Sequence, residues 1–229
     1  ILLISSLIFY GWNSIPAAIL LIISALFVHH LRRHSSKTYK IFGAVILTIP
    51  FLFFRTSHNL ILLIPSLSDL QQLYPEALIL PAGISFYTFQ LIGFLFDRSP
   101  TNTLHESLLF TCFFPQLIAG PIERGKFLID QFRSSLTRFQ FSFNDVNQGF
   151  RLVALGLFIK TLFSDVLSSH MLIESISLGT LTTILFIIKL GNIIYLDFLG
   201  YSLIAVGLAK TFSISLSLNF ARPYASIFV

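Results

Sequence analysis

The side chains of this 229-residue sequence that could carry chemistry are few. His30 and His34, at i and i+4, could present two imidazoles to a metal ion from one helical face. Arg32 and Arg33 lie between them and oppose a cation, and no carboxylate or cysteine is near in sequence, so the pair reads as part of a solvated basic flank. His105–Glu106 resembles a fragment of a metalloprotease motif, but no second histidine follows at the required spacing. It reads as a loop pair at the membrane surface. Cys112, the single cysteine, cannot form an internal disulfide, and no cue places a base beside it, so it reads as a core thiol. No metal site is expected. Asp197 differs from these, because a carboxylate within an apolar run faces a bundle interior by default. Structural pairing with a cation such as Lys160 or Arg222 and a role in substrate handling are both open. If Asp197 is paired, Asp197→Ala would strand a buried cation.

The segments carrying these residues are built for lipid. Hydrophobic residues make up 55% and charged residues 11%, against roughly a quarter charged in soluble domains, and mean hydropathy is +0.83. A soluble fold of this size could not cover itself with so few charges. The expected class is an all-α, polytopic transmembrane helical bundle whose first partner is the lipid bilayer. The net charge of +5 reads as topology, since no compact basic motif of a nucleic-acid module is present. No signal-peptide pattern opens the chain and Ile1 begins within a span. The expectation is one membrane domain over residues 1–229, incomplete at both ends, with no repeat or internal boundary.

Along the chain, Gly11, Asn13, Ser14 and Pro16 divide Ile1–Val28 into helices at Ile1–Tyr10 and Ile15–Val28, with Tyr10 and Trp12 suited to an interfacial aromatic belt. Arg32, Arg33, Lys37 and Lys40 mark a cytoplasmic loop by the positive-inside rule. Ile41–Ile64 is the next span, with Arg55 placed near its far interface. Pro65–Glu76 carries Asp69 and Glu76 without Lys or Arg, and belongs to the opposite side. Ala77–Phe96, 20 residues between Glu76 and Asp97, is long enough to cross about 30 Å of hydrocarbon. Ser107–Ile122 contains Pro115, Gln116, Gly120 and Pro121. Each proline removes a backbone donor, and the carbonyls so freed must be satisfied by protein or water. The basic residues Arg124, Lys126, Arg133 and Arg138 that follow conflict with a full crossing. A re-entrant or broken helical element lining a cavity resolves the conflict.

Phe127–Asn147 is expected along the cytoplasmic face, with Asn144 or Asp145 capping the next helix. From Asn147 to Leu167 the pattern is a partly amphipathic helix packed in the bundle. Leu172–Ile188, ended by Lys189, and Tyr195–Phe212 complete the spans. The last holds Asp197 and the small residues Gly200, Ser202, Ala205, Gly207 and Ala209, which let helices approach closely in lipid.

FYTFQLIGFLFDR at residues 86–98 and FFPQLIAGPIERGKF at 113–127 resemble the membrane-bound O-acyltransferase family. The likeness is to the bacterial branch that includes alginate O-acetyltransferase and the D-alanine transfer protein for teichoic acid. It resumes at GFRLVALGLFIKTLFSD (149–165) and at YLDFLGYSLIAVGLAKTFSISLSLNFARPY (195–224). Four separated matches in the family's order make the signal specific. The resemblance implies a truncated form of that fold and transfer of an acyl group, expected to be acetyl, from a cytoplasmic donor to an extracytoplasmic polysaccharide hydroxyl, as in alginate O-acetylation.

Such transfer needs a base for the acceptor, donors for the oxyanion and a dry passage for the thioester. The resemblance places the base on an intramembrane histidine beyond Val229. None of His29, His30, His34, His58, His105 and His170 falls in a matching motif, so no catalytic residue is expected here and the chain alone is expected to be inactive. Gln116, Glu123 and Arg124 are the polar residues of the second matching stretch, and either line the mouth for an acyl donor or flank the surface. Asn219 and Arg222, with Pro223 and Tyr224, are expected to form a loop that orients the catalytic helix. No bound cofactor is implied. Acetyl-CoA or another acyl thioester serves as substrate, and an acyl carrier or CoA donor, a polysaccharide acceptor and an extracytoplasmic O-acetylation partner protein are the expected partners, in the bacterial inner membrane. Two rivals are a transporter or channel, which also uses broken helices, and an inactive fragment. No inverted repeat supports the first.

Overall fold

The structure is a computed structural model that describes residues 2–34, 36–63, 80–97, 103–137, 142–169 and 179–219. Among these residues every regular element is helical: α1 (Leu2–Asn13), α2 (Ile15–Arg32), α3 (Lys37–Leu63), α4 (Ile84–Phe96), α5 (Leu104–Cys112), α6 (Phe114–Leu117), α7 (Gly125–Thr137), α8 (Phe143–Phe158), a π-helical turn (Ile159–Ser164), α9 (Asp165–Ser169) and α10 (Thr180–Thr211). Among the described residues, four stretches are long and apolar enough to cross a membrane: Ile15–Arg32, Lys37–Thr56, Phe143–Ser169 and Thr180–Thr211. Large apolar side chains such as Ile19, Phe42, Phe53, Phe158 and Ile187 point outward from these helices. A water-facing surface of that kind would aggregate, whereas lipid accepts it. The protein is an all-α, multi-pass membrane protein.

The described residues form two compact units, one from Ile1–Ile118 and Ile122–Arg133, the other from Ala119–Pro121 and Ser134–Val229. In the first, α2 packs against α1, α3, α4 and α5. Its inner face is Ala17, Leu21, Ala25 and Val28 at about helical spacing. Ser14 separates α1 from α2, accepting the Ala17 N–H as N-cap with Pro16 in the first turn. The expected division is thus present, with α1 running on to Asn13. Trp12 is exposed, but Tyr10 is buried and donates its hydroxyl to the Ala82 carbonyl at 2.8 Å. Tyr10 therefore fixes the entry to α4 and does not serve as a belt residue.

The expected 20-residue span at Ala77–Phe96 is shorter in its described part, since α4 starts at Ile84. Gly83 causes this. It sits at φ +72°, and a Cβ there would lie 2.4 Å from the Leu117 carbonyl oxygen. Only glycine allows both that backbone and that approach. The basic residues at the end of α2 are not all solvated either. Arg32 folds back to donate to the Phe94 carbonyl and stacks 3.8 Å over the Phe94 ring, which in turn stacks on Phe110 at 4.4 Å. The guanidinium thereby closes the C-terminal end of α4.

In the second unit α8 packs antiparallel along α10 through paired glycines. A Cβ on Gly149 would lie 2.6 Å from the Gly207 carbonyl oxygen, and one on Gly156 would lie 2.7 Å from that of Gly200. Both pairs are seven residues apart, two turns of helix, so the backbones touch along one line. Ser142, not Asn144 or Asp145, caps α8 by accepting the Asp145 N–H, and Asp145 instead pairs with Lys210 at 2.9 Å. The two spans expected at Leu172–Ile188 and Tyr195–Phe212 are, where described, one 32-residue helix, about 48 Å long. Gly191 and Asn192 do not break it, because the Asn192 amide donates to the Ile188 carbonyl at 2.8 Å and stays within the helical register. Residues 170–178 lie outside the described residues.

Candidate functional site

Each unit holds polar groups within apolar packing, and the two sets are built differently. In the first unit they answer a broken helix. Pro115 has no N–H, and the chain breaks between α5 and α6 at Phe113 (φ −56°, ψ 102°). In a continuous helix the Phe114 N–H would reach the Phe110 carbonyl. Here the Phe114 N–H donates to the hydroxyl oxygen of Ser6 on α1 at 3.3 Å, and Gln90 on α4 donates its amide to the Phe110 carbonyl at 3.1 Å. Ser6 and Gln90 are both buried, so the break is closed by protein, as it must be in lipid. The nine residues of α5 reach about 14 Å, too short to cross. The broken element expected over Ser107–Ile122 is present.

At one end of this unit the charges answer helix termini. Asp97 accepts the Lys126 N–H at 3.2 Å and so caps the first turn of α7. Glu106 closes a capping box with Thr103 and receives Arg133 through two bonds, 2.6 and 3.0 Å. That donor pair holds the Glu106 carboxyl down to about 2. His29 accepts from Arg33 at Nε2 (3.3 Å), which leaves Nδ1 to donate to the Ser107 hydroxyl at 2.9 Å. His30, His34 and Tyr39 form a chain of ring contacts at 5.3 and 4.9 Å. Among the described residues no group of three metal-ligating side chains occurs.

The second unit, apart from the Asp145–Lys210 pair at its helix ends, places charges within helices. Lys160 Nζ lies 2.7 Å from Asp197 Oδ1 on α10 and 2.9 Å from Asp165 Oδ1. The ammonium also stands 4.8 Å from the Tyr201 ring centre, and the Ser164 hydroxyl donates to Asp197 Oδ1 at 3.4 Å. The π-helical turn Ile159–Ser164 presents Lys160 and Ser164 to Asp197 together. Turns of this kind recur at functional sites, and ionisable groups in apolar spans mark them.

Of the residues singled out from sequence, Gln116 is buried in the first unit beside the break, Glu123 is half-buried and Arg124 exposed in the irregular stretch before α7. Asp197 takes Lys160, one of the two cations named for it. Asn219 is half-buried past the end of α10. Arg222, Tyr224 and His170 lie outside the described residues, as does the His58 side chain. Cys112 is buried. Sequence reasoning missed Asp165, because residues five apart do not face each other on an α-helix. It also missed Ser6 and Gln90, whose partners lie 108 and 20 residues away, and the Gly149 and Gly156 halves of the glycine contacts.

No family model matches the chain. Curated relatives do. A peptidoglycan O-acetyltransferase of Helicobacter pylori is 26% identical over 99% of this chain and 50% of its own length. A probable alginate O-acetylase AlgI of Pseudomonas aeruginosa is 28% identical over 99% and 46%, and a teichoic acid D-alanyltransferase of Streptococcus thermophilus is 28% identical over 63% and 37%. The chain spans about half the length of the first two. Over nearly all of its length the chain is similar to proteins of the membrane-bound O-acyltransferase family.

Proposed function

We propose that the protein carrying this chain moves an acyl group, acetyl in the first instance, from a cytoplasmic thioester donor to a hydroxyl of an extracytoplasmic polysaccharide. The observation that carries the reading is the match of 99% of the chain to two proteins named for O-acetylation of cell-surface polymers. A third relative is named for D-alanyl transfer, so transfer of an acyl group to a surface polymer is the common ground. Acetyl as the group moved and an alginate-like acceptor are the finer parts of the proposal.

The chemistry fits a membrane interior with fixed polar groups. Acyl transfer gains from a dry site in which donors and charges are held before the substrate arrives. A break closed by Ser6 and Gln90, and a lysine held between two carboxylates, are fixed polar groups of that kind. The basic residues of 32–40 and 124–138 favour a cytoplasmic side for both stretches by the positive-inside rule, and the proposed donor enters from that side. CoA or an acyl carrier on that side, a partner protein on the other and the cytoplasmic membrane as location belong to the same proposal.

The test uses membrane vesicles from cells with and without the protein, given labelled acetyl or labelled D-alanyl thioester, and measures ester-linked label in surface polymer. Label from acetyl donor that depends on the protein is expected. Label from the D-alanyl donor alone would move the proposal to that acyl group. No protein-dependent label from either, where a curated relative transfers in parallel, would overturn it.

A further inference from the structure

We propose that the ion pairs of Lys160 hold residues 159–164 in the π-helical register, so that the orientation of α9 is set by side-chain charge and not by backbone preference. In an α-helix residues five apart stand about 140° around the axis, and only those three or four apart meet. Lys160 and Asp165 are five apart, yet their charged atoms lie 2.9 Å from each other. The π turn accounts for this. The Asp165 N–H reaches back to the Lys160 carbonyl, so residue 165 stands over residue 160. Pair and turn therefore require each other. The second carboxylate, Asp197, fixes the same ammonium to α10 at 2.7 Å. Ser164, buried at the end of the turn, shares Asp197 and also donates to the Ile193 carbonyl at 3.4 Å.

Isolated π turns are rare because the same residues form better hydrogen bonds in the α register. Without Lys160 only the long Ser164 hydroxyl contacts, at 3.4 Å, remain to hold the turn. Relaxing to α-helix rotates everything after it by about 100° and lengthens the rod by about 1.5 Å, one residue's worth of helix. Asp165 then leaves Lys160, and Ser164 leaves Asp197. The segment is thus a two-register element, and a group that draws Lys160 away from Asp165 would turn α9.

Spin labels at Asn147→Cys and Ser168→Cys, both exposed positions of one continuous rod, with Cys112→Ser, report the register by dipolar distance in nanodiscs. Asp165→Asn and Lys160→Met are each expected to shift the mean distance by roughly 2–4 Å, from one residue's rise and rotation, while Lys160→Arg keeps it. Thr161 is exposed, and its hydroxyl only returns to the Leu157 carbonyl. Deleting Thr161 in the Lys160→Met background removes the extra residue and should bring the distance back. Unchanged distances in both Asp165→Asn and Lys160→Met would overturn the proposal. If Lys160→Met yields no folded protein, Asp165→Asn decides alone, because it leaves the Lys160–Asp197 pair in place.

Discussion

The first unit keeps its charges at helix ends, where they answer backbone groups, whereas the second, besides the Asp145–Lys210 pair at its helix ends, sets Lys160, Asp165 and Asp197 along one helical rod and its neighbour, where they answer one another. Arg32 closes the Phe94 carbonyl, Asp97 caps the Lys126 N–H and Glu106 caps its own helix before it takes Arg133. Each has a purpose that ends with a satisfied terminus. Lys160, Asp165 and Asp197 satisfy no terminus, and two of the three face the packed line between α8 and α10. Charge that helix-end chemistry explains is weak evidence for function. Charge that it leaves unexplained, in an apolar rod with a π turn, is stronger evidence, and it points to the second unit.

The largest effect is expected where that contrast is sharpest. Lys160→Met leaves two carboxylates without their shared cation and should lower the unfolding midpoint in detergent clearly, whereas Arg133→Met, at an ion pair screened by solvent, should lower it little. Equal losses would erase the distinction. Asp197→Ala should cost less than Lys160→Met, because Asp165 at 2.9 Å still holds the ammonium. That revises the expectation from sequence, in which Asp197→Ala strands the cation.

Next come the glycines. Gly156→Ala drives a methyl to 2.7 Å from the Gly200 carbonyl oxygen and should cost about 1–3 kcal/mol as overpacking. Gly93→Ala in α4 meets nothing within 4 Å and should be neutral or stabilise by up to about 1 kcal/mol. A costly Gly93→Ala alongside a neutral Gly156→Ala would reverse the packing account. In the first unit Gln90→Leu strips the Phe110 carbonyl of its buried donor, for about 1–3 kcal/mol, read as a lower unfolding midpoint.

The smallest effect is a pH dependence. Glu106 is held down to about 2 in the folded protein, from an ordinary value of 4.5. A lowered carboxyl contributes stability that is whole above 4.5 and is lost as pH falls through that window toward about 2. Arg133 is exposed, so solvent screening keeps the contribution small. Unfolding midpoints between pH 5 and 2.5 should flatten in Glu106→Gln relative to the parent, and parallel curves would remove the pair from the account.

What was legible in the sequence was what depends on composition and local spacing. Apolar runs gave the membrane class, Ser14 and Pro16 marked the division of α1 from α2, and Pro115 signalled a break. What was not legible depends on contacts between segments. Nothing local says that Gly83 must be glycine because Leu117 approaches it, or that Ser6 will receive the Phe114 N–H. Lys189 read as the end of a span, yet the helix passes through it and through Gly191 and Asn192, because in lipid an unbroken backbone ladder leaves no carbonyl or N–H unsatisfied. The candidate site was half legible. Asp197 stood out by its apolar surroundings and Lys160 was named as a partner, but Asp165 was hidden by α-helical geometry that the chain does not keep at that point.

The central claim, acyl transfer to a surface polymer, is tested most directly in cells. Delete the gene, isolate the extracytoplasmic polysaccharide and quantify its acyl esters by mass spectrometry, then repeat with a plasmid-borne copy. The account predicts that ester content falls on deletion and returns with the intact copy. An ester content that deletion leaves unchanged would contradict it.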